Sequence, residues 1–140
     1  MKYLTLLLTT IILSSCGNDP ASTPEKKLTP IEKKANENDL IKLEGDLYTE
    51  FYPGGKAIKF QGRLDENGKR MGLWIGYMKN GKELSQSEYI HGELHGITVV
   101  KRENGTIYYS GEFDNGKKVG EWIYRNEDGS VNYVRNYDED

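Results

Sequence analysis

The sequence has little of what a disulfide scaffold, a membrane bundle or a nucleic-acid-binding protein requires. It contains one cysteine, so no disulfide can form within the chain. Its one long apolar run, from Leu4 to Leu13, is too short to cross a bilayer as a permanent anchor. The 19 basic residues are outnumbered by 22 acidic ones, and the net charge of -3 does not favour nucleic acid as a ligand. A chain of 140 residues therefore has room for one folded domain and an appendage.

Proline is scarce after Pro30. Three of the four prolines, Pro20, Pro24 and Pro30, lie in a polar, aperiodic stretch that ends near residue 44. A segment of this composition cannot bury enough apolar surface to offset its ordering entropy. We therefore expect three parts, namely a signal peptide at 1–15, a mostly disordered tether at 16–44 and a folded domain at 45–140.

The first sixteen residues have the pattern of an exported protein. Met1-Lys2-Tyr3 is a short basic start, and the apolar run after it has the length of a signal-peptide core. The run ends in Leu13-Ser14-Ser15-Cys16, which resembles the lipobox of bacterial lipoproteins. The resemblance implies cleavage before Cys16, a diacylglyceryl thioether on its sulfur and an acylated amino terminus. The alternative is an ordinary cleaved signal peptide followed by an unrelated cysteine.

A lipid on Cys16 would hold the protein at the cell envelope. Two or three acyl chains make a stable anchor, because each buried methylene contributes about 0.8 kcal/mol. Gly17 stands after Cys16, where an aspartate would resemble the inner-membrane retention signal of some bacteria. An outer-membrane location is therefore favoured, with the domain facing either the periplasm or the cell surface.

Glycine and tyrosine are abundant, with 16 and 10 residues, and the glycines recur at regular places. Seven turn-forming dipeptides follow one another at nearly constant spacing, and from Asn67 onward a longer and a slightly shorter interval alternate. Asn-Gly and Asp-Gly supply the positive φ angles of two-residue hairpin turns, so the pattern predicts antiparallel strands of about six to eight residues in meander order. The dipeptides are Gly54-Gly55, Asn67-Gly68, Asn80-Gly81, His91-Gly92, Asn104-Gly105, Asn115-Gly116 and Asp128-Gly129.

A longer repeat period overlies the hairpins and equals the interval from Gly68 to Gly92. Trp74 and Trp122 are two such periods apart, and Thr98 holds the position between them. Hairpin units repeated in this way are stable only when they stack on one another. The repeat-structural glycines that follow the period are Gly68, Gly92 and Gly116 in one set, and Gly72, Gly96 and Gly120 in the other.

Segments 67–74, 91–98 and 115–122 superpose without gaps. The stretch Tyr109-Ser-Gly-Glu-Phe-Asp-Asn-Gly-Lys-Lys-Val-Gly120 closely resembles the membrane occupation and recognition nexus (MORN) repeat. With a tryptophan after its last glycine, the unit is similar to the MORN variant repeat of bacterial YwqK-type proteins, which are often labelled antitoxins. The resemblance extends over residues 45–137 and implies β-hairpin repeats and an antitoxin-like role.

The repeats predict an all-β fold, an antiparallel meander of hairpins in an open, elongated, twisted sheet. A closed β-barrel core is the alternative. Two departures from regularity stand out: two extra residues between Gly55 and Gly68, and Ser87 where the other units have Gly62 and Gly111. Three positions are expected to form aligned rows: Tyr89, Phe113 and Tyr137; Tyr109 and Tyr133; and Ile75, Val99 and Ile123.

The two histidines are the only ones in the chain and invite a zinc assignment. His91-Gly92-Glu93-Leu94-His95 lacks the helical His-Glu-x-x-His spacing, and its glycine falls at a predicted turn. In the repeat, His95 takes the place of Met71, which is a packing position. We therefore predict no metal site and no cofactor.

Acidic residues are common but flank the predicted turns, as Asp65-Glu66 and Glu127-Asp128 do. Solvated charges are expected at such places. Ser110 has no nucleophile-elbow context and no glycine loop is suited to phosphate, so we predict no catalytic residues. An enzyme that acts on envelope glycans through acid pairs is the rival from a different class.

A binding role fits the composition of the repeats better. Trp74, Tyr77, Trp122 and Tyr124 lie in corresponding strands, and aromatic residues are enriched where proteins bind one another. The alternative is that these four side chains only build the sheet. We expect a non-catalytic protein-binding or scaffolding module with an unidentified protein partner, or an antitoxin that covers its toxin.

Overall fold

The computed structural model describes Glu32 and residues 39–138. Nine strands form one antiparallel sheet, in which each strand pairs with its neighbours in sequence. Within residues 39–138 the sheet is open, because β1 and β9 lie at opposite edges. The all-β meander that the turn spacing predicts is confirmed. The strands are β1 Ile41–Glu44, β2 Leu47–Phe51, β3 Ile58–Leu64, β4 Arg70–Tyr77, β5 Glu83–Ile90, β6 Glu93–Lys101, β7 Ile107–Asp114, β8 Lys117–Arg125 and β9 Val131–Asn136.

The sheet begins earlier than the sequence predicts. β1 lies inside the 16–44 segment assigned to the tether and pairs Ile41 with Glu50 and Leu43 with Tyr48. Ile41 is only 8% exposed, so this short strand contributes to the core. The physical reason is that two apolar residues in alternation are enough to cover one face of β2. The folded domain therefore starts near residue 40.

Hairpin connections of two, five and six residues join the strands, and the six-residue one at 52–57 contains Gly54-Gly55. His91 and Asn115 each have a φ of 48° and precede a glycine in a two-residue turn, as predicted. Four other dipeptides, at 67–68, 80–81, 104–105 and 128–129, lie in five-residue connections, so the prediction of two-residue turns is wrong there. In each, the glycine N–H donates to the carbonyl three residues earlier. The Asn80 side chain illustrates the reason, since its Oδ1 accepts the Lys82 N–H at 3.0 Å and stabilises the wider turn.

The two extra residues of the first unit lie in two connections. One is in 52–57, which has six residues where 78–82 and 102–106 have five, and the other is in the wider turn between β3 and β4. This connection spans 65–69, whereas the corresponding connections of the later units are the two-residue turns at 91–92 and 115–116. Asp65 holds it together, because its Oδ1 accepts the backbone N–H groups of Asn67 and Lys69, both at 2.9 Å. The irregularity therefore lies in the connections on either side of β3.

The second set of period glycines lies within strands, at bulges. Register passes from Gln61↔Ile75 to Arg63↔Met71, so residues 72–74 of β4 lie opposite a single residue of β3. Gly72 has a φ of 65° at this bulge, and the glycines at 96 and 120 have 76° and 59°. Such left-handed values are open to glycine without steric cost. These glycines therefore shape the backbone.

Successive side chains of a strand point to opposite sides, so the sheet has two faces. The aromatic face carries Tyr48, Trp74, Tyr89, Tyr109 and Trp122, and the most buried side chains lie on it. The opposite face, here called the open face, has a row of directly paired residues that crosses eight strands. That row is Thr49, Gln61, Ile75, Gln86, Val99, Ser110, Ile123 and Val134.

Candidate functional site

Trp74 is enclosed on the aromatic face rather than presented to solvent. It is 3% exposed, and its indole lies on the backbone of Gly62, where any Cβ would overlap the ring. The indole Nε1 donates to the Arg63 carbonyl at 3.0 Å. The Arg70 guanidinium lies 4.3 Å from the ring centroid and the Tyr89 ring 6.2 Å from it. The side chain is packed and its one donor is satisfied.

Trp122 repeats this arrangement two periods later. It is 1% exposed and lies on Gly111, and its Nε1 donates to the Glu112 carbonyl at 3.2 Å. The Lys118 ammonium lies 4.0 Å from the ring centroid and the Phe113 ring lies 5.0 Å away, edge-on. Both tryptophans were predicted to lie on an exposed binding face. The structure instead uses them as the core of a single-layer sheet, because residues 39–138 form no second layer that could bury its aromatic side.

The two predicted tyrosines lie apart from each other. Tyr124 is on the aromatic face, where its ring stacks on Tyr133 at 4.4 Å with an interplanar angle of 13°. Tyr77 lines a shallow hollow with Lys56 and Lys79, and its carbonyl accepts the Tyr52 hydroxyl at 2.8 Å. Of the four predicted binding-face residues, only the two in β8 share a cluster.

Lys118 connects that cluster electrostatically. Its Nζ donates to Tyr124 Oη at 3.2 Å and to Tyr137 Oη at 3.4 Å. Burial works against the charged amine, but the two hydrogen bonds outweigh burial and raise the pKa of Lys118. The hydrogen bond from Tyr124 lowers the pKa of Tyr137, whereas burial raises that of Tyr124. The positive charge therefore stays over the aromatic rings, which stabilises their packing.

Sequence reasoning missed two exposed apolar side chains that lie on the open face. Ile97 is 61% exposed and Leu73 is 49% exposed. Each directly follows a bulge glycine and occupies the same repeat position, which Glu121 holds in the next unit. The signal was present in the sequence as Gly-Leu, Gly-Ile and Gly-Glu, each one repeat period after the last. The prediction rested instead on the tryptophans that follow Leu73 and Glu121.

The surroundings of these two side chains are apolar in the centre and acidic beside it. Glu88 pairs across from Leu73, and Glu112 pairs across from Ile97. A shallow hollow next to Leu73 is lined by apolar atoms of neighbouring strands. Its lining includes Leu47, Gln61, Met71 and Ile75. The open face therefore offers apolar contact together with negative charge.

The histidines pair with aspartates and not with each other. His91 Nδ1 lies 2.9 Å from Asp65 Oδ2, and His95 Nδ1 lies 3.3 Å from Asp114 Oδ1. The His91 hydrogen bond, followed by backbone amides of the turn, lowers the pKa of Asp65. Among the residues that the structure describes, no three metal-binding side chains come together.

Cys16, the predicted lipidation site, lies outside the described residues, and its modification stays a prediction. Within the described part of the chain, no helix combines the length and apolar character needed to span a bilayer.

No known family model matches the chain, and no curated protein matches it. Among solved structures, it is similar to a mutant of S. aureus TarM in complex with fondaparinux, alpha-GlcNAc-glycerol and UDP. The similarity has a TM-score of 0.45 at 13% sequence identity and covers 80% of this chain and 23% of that one. At this TM-score the likeness carries no inference about fold or activity.

Proposed function

We propose that the protein is a bacterial envelope lipoprotein whose repeat sheet binds another protein through its open face, without catalysis. The lipobox-like sequence ending in Cys16 supports the anchor, and the repeat period supports kinship with the MORN variant repeats. The observation that carries the binding role is the exposure of Leu73 and Ile97 at equivalent positions of successive units.

Exposed apolar side chains of this size need a physical reason, because contiguous apolar patches on soluble domains usually mark interaction sites. Leu73 and Ile97 lie two strands apart on one face, beside the half-buried Ile75 and Val99. Carboxylates border them on the neighbouring strands. A partner that inserts apolar side chains between these strands and brings basic residues to the rim would fit this surface.

The carboxylates of the described residues that make ion pairs support a role without acid–base chemistry. Glu83 pairs with Lys101 at 2.5 Å, and Asp46 pairs with Arg63 at 2.6 Å. The Lys101 hydrogen bond lowers the pKa of Glu83 and the Arg63 hydrogen bond lowers that of Asp46, so both stay ionised. Carboxylates held in this way are poor proton donors near neutral pH.

The repeat itself supplies a matched test. Changing Leu73→Glu and Ile97→Glu copies the residue that stands naturally at 121, so the double variant should fold. Full-length wild type, this variant and a Val131→Glu control, whose side chain is 51% exposed in wild type, would be used to capture proteins from detergent-solubilised envelopes. Circular dichroism would confirm that all three are folded.

We expect wild type and the Val131→Glu control to retain the same partner and the double variant to lose it. Identical capture by all three proteins, or no partner at all, would overturn the proposal. If the captured protein is toxic when it is produced without this chain, neutralisation becomes the specific role of the same surface.

A further inference from the structure

β9 presents an edge that is open to strand addition. Among the described residues it pairs with β8 alone. Val131, Tyr133 and Val134 are 51%, 50% and 48% exposed. Natural sheet edges are commonly shielded by proline, lysine or a covering segment, and β9 contains neither proline nor lysine. The protection of this edge in the described residues is limited to Arg135 and to the bulge at Asn132.

A hydrogen bond made by the residue after β9 shows which of its backbone groups point towards β8. The Tyr137 N–H donates to the Gly120 carbonyl at 2.9 Å, so odd-numbered residues direct their backbone groups towards β8. Backbone groups alternate along an antiparallel strand. This alternation holds from Tyr133 to Tyr137, because a bulge at Asn132 interrupts the pairing before it. Val134 and Asn136 therefore direct their N–H and C=O groups away from the sheet, where another strand can meet them.

A further unit with tryptophan at the usual place does not fit this edge. Arg135 stands at the repeat position of Gly62 and Gly111, where glycine leaves room for a tryptophan on the next strand. The Arg135 guanidinium lies 4.6 Å from the Tyr137 ring centroid, on the aromatic face. A neighbouring strand with tryptophan at the usual place would meet the arginine side chain. The edge suits a strand of a different kind.

We propose that β9 pairs with β9 of a second copy of this chain, antiparallel about a two-fold axis at Val134. This register sets Arg135 of each copy opposite Tyr133 of the other, which gives two symmetric cation–π contacts. Arg135 is the only charged residue of β9, so no like charges lie directly opposite.

Neighbouring registers are less favourable. Because outward-facing residues must pair with one another, the axis can move along β9 only in whole-residue steps. An axis at Arg135 would place the two guanidinium groups directly opposite each other, which is destabilising. An axis at Tyr133 would pair Arg135 with Val131 and lose both cation–π contacts.

The first test uses two matched cysteine variants of the full-length chain. Val134 lies on the proposed axis, where the two Cα atoms of a hydrogen-bonded pair are about 5.5 Å apart, within the range of a disulfide. Val131 is equally exposed, but it would lie opposite Tyr137 and roughly 20 Å from its symmetry mate. We expect Val134→Cys to form a disulfide-linked dimer under mild oxidation and Val131→Cys to form no disulfide between copies. The parent chain controls for disulfides through Cys16.

The second test measures mass. Analytical ultracentrifugation of the full chain in detergent should give two copies for wild type and for Val131→Lys. Val134→Lys should give one copy, because it sets two ammonium groups opposite each other on the axis. A wild-type mass of one copy would overturn the proposal, and so would equal cross-linking of both cysteine variants. Cross-linking of Val134→Cys only to a different protein would also count against it.

Discussion

The hydroxyl groups of Ser87 and Thr98 are hydrogen bonded across β5 and β6, at the place where the flanking units set a glycine beneath a tryptophan. In those units the absent glycine side chain leaves the space that the indole fills. The middle unit has lost the large ring and has gained a side chain on the facing strand. Two small polar groups satisfy each other instead. In the irregular second repeat, the serine in place of glycine and the threonine in place of tryptophan therefore compensate each other.

This compensation predicts strong coupling between Gly111 and Trp122. Gly111→Ser alone should lower the free energy of unfolding by about 2 kcal/mol, because the new side chain overlaps the indole. Trp122→Thr alone should cost about 4 kcal/mol through the cavity it leaves. The double variant copies the Ser87–Thr98 pair and should cost at least about 1 kcal/mol less than the sum.

Urea unfolding of the four proteins, followed by intrinsic fluorescence and circular dichroism, gives this coupling energy directly. Additive costs would show that the glycine and the tryptophan are independent. The same cycle at Ser87 and Thr98, with both changed to alanine, should show a smaller coupling because only a hydrogen bond is shared.

The bulge glycines predict a different kind of cost. A Cβ at Gly72 would meet open space, so the penalty of Gly72→Ala comes from the backbone alone. At a φ of 65° we expect a loss of about 1 kcal/mol in the free energy of unfolding. Gly72→Asn should lose less, because asparagine tolerates this conformation, as Asn115 does. Equal losses for alanine and asparagine in urea unfolding would contradict the backbone explanation.

Sequence predicted the fold well for reasons that lie in particular residues. The turn glycines and asparagines set strand boundaries locally, so the meander follows from their spacing. The sequence did not predict β1, because Ile41 and Leu43 alone are too few to indicate a strand. Their role follows from the pairing with β2, where they cover Tyr48. The turn type at Asn80 was missed because the same dipeptide suits both a two-residue turn and a wider one with a side-chain acceptor.

The high-pH stability should depend on Tyr48. Burial, together with its hydrogen bond to Glu50 at 3.0 Å, raises the pKa of Tyr48 to about 12, against an ordinary value of 10.0. Between these two values the unfolded chain binds fewer protons than the folded chain at this residue. Stability is therefore complete below pH 10 and falls as pH rises towards 12.

Urea midpoints measured from pH 9 to 12 should decline more steeply for wild type than for Tyr48→Phe. The comparison isolates Tyr48, because the other tyrosines and lysines are common to both proteins. Parallel curves for the two proteins would mean that Tyr48 ionises normally in the folded state.

The lipobox-like sequence predicts a defined covalent product. Mass spectrometry of the mature protein should show the loss of residues 1–15 and a diacylglyceryl group on Cys16. Cys16→Ser should leave the chain unmodified and release it from the membrane fraction. A wild-type protein that leaves washed membranes as readily as the variant would contradict lipid anchoring.

The candidate site was harder to predict than the fold, and the tryptophans explain why. Composition alone makes an aromatic residue equally suited to an interface and to a core. Which one applies to Trp74 depends on Gly62 being on the next strand and Arg70 lying over the ring, and both are non-local facts. Leu73 and Ile97 point to the open face because of the bulges, and the sequence pattern does not reveal these bulges.

Each bulge at a period glycine inserts two residues, an even number, and this parity has an evolutionary consequence. After an insertion of two residues, every later side chain still points to its original face of the sheet. An insertion of one residue would move Trp74 to the open face and Leu73 to the aromatic face. Length changes at these glycine bulges should therefore be inherited in twos. Between hairpins, lineages should gain or lose whole repeat units, which lengthen or shorten the molecule by two strands and leave the chemistry of both sides intact.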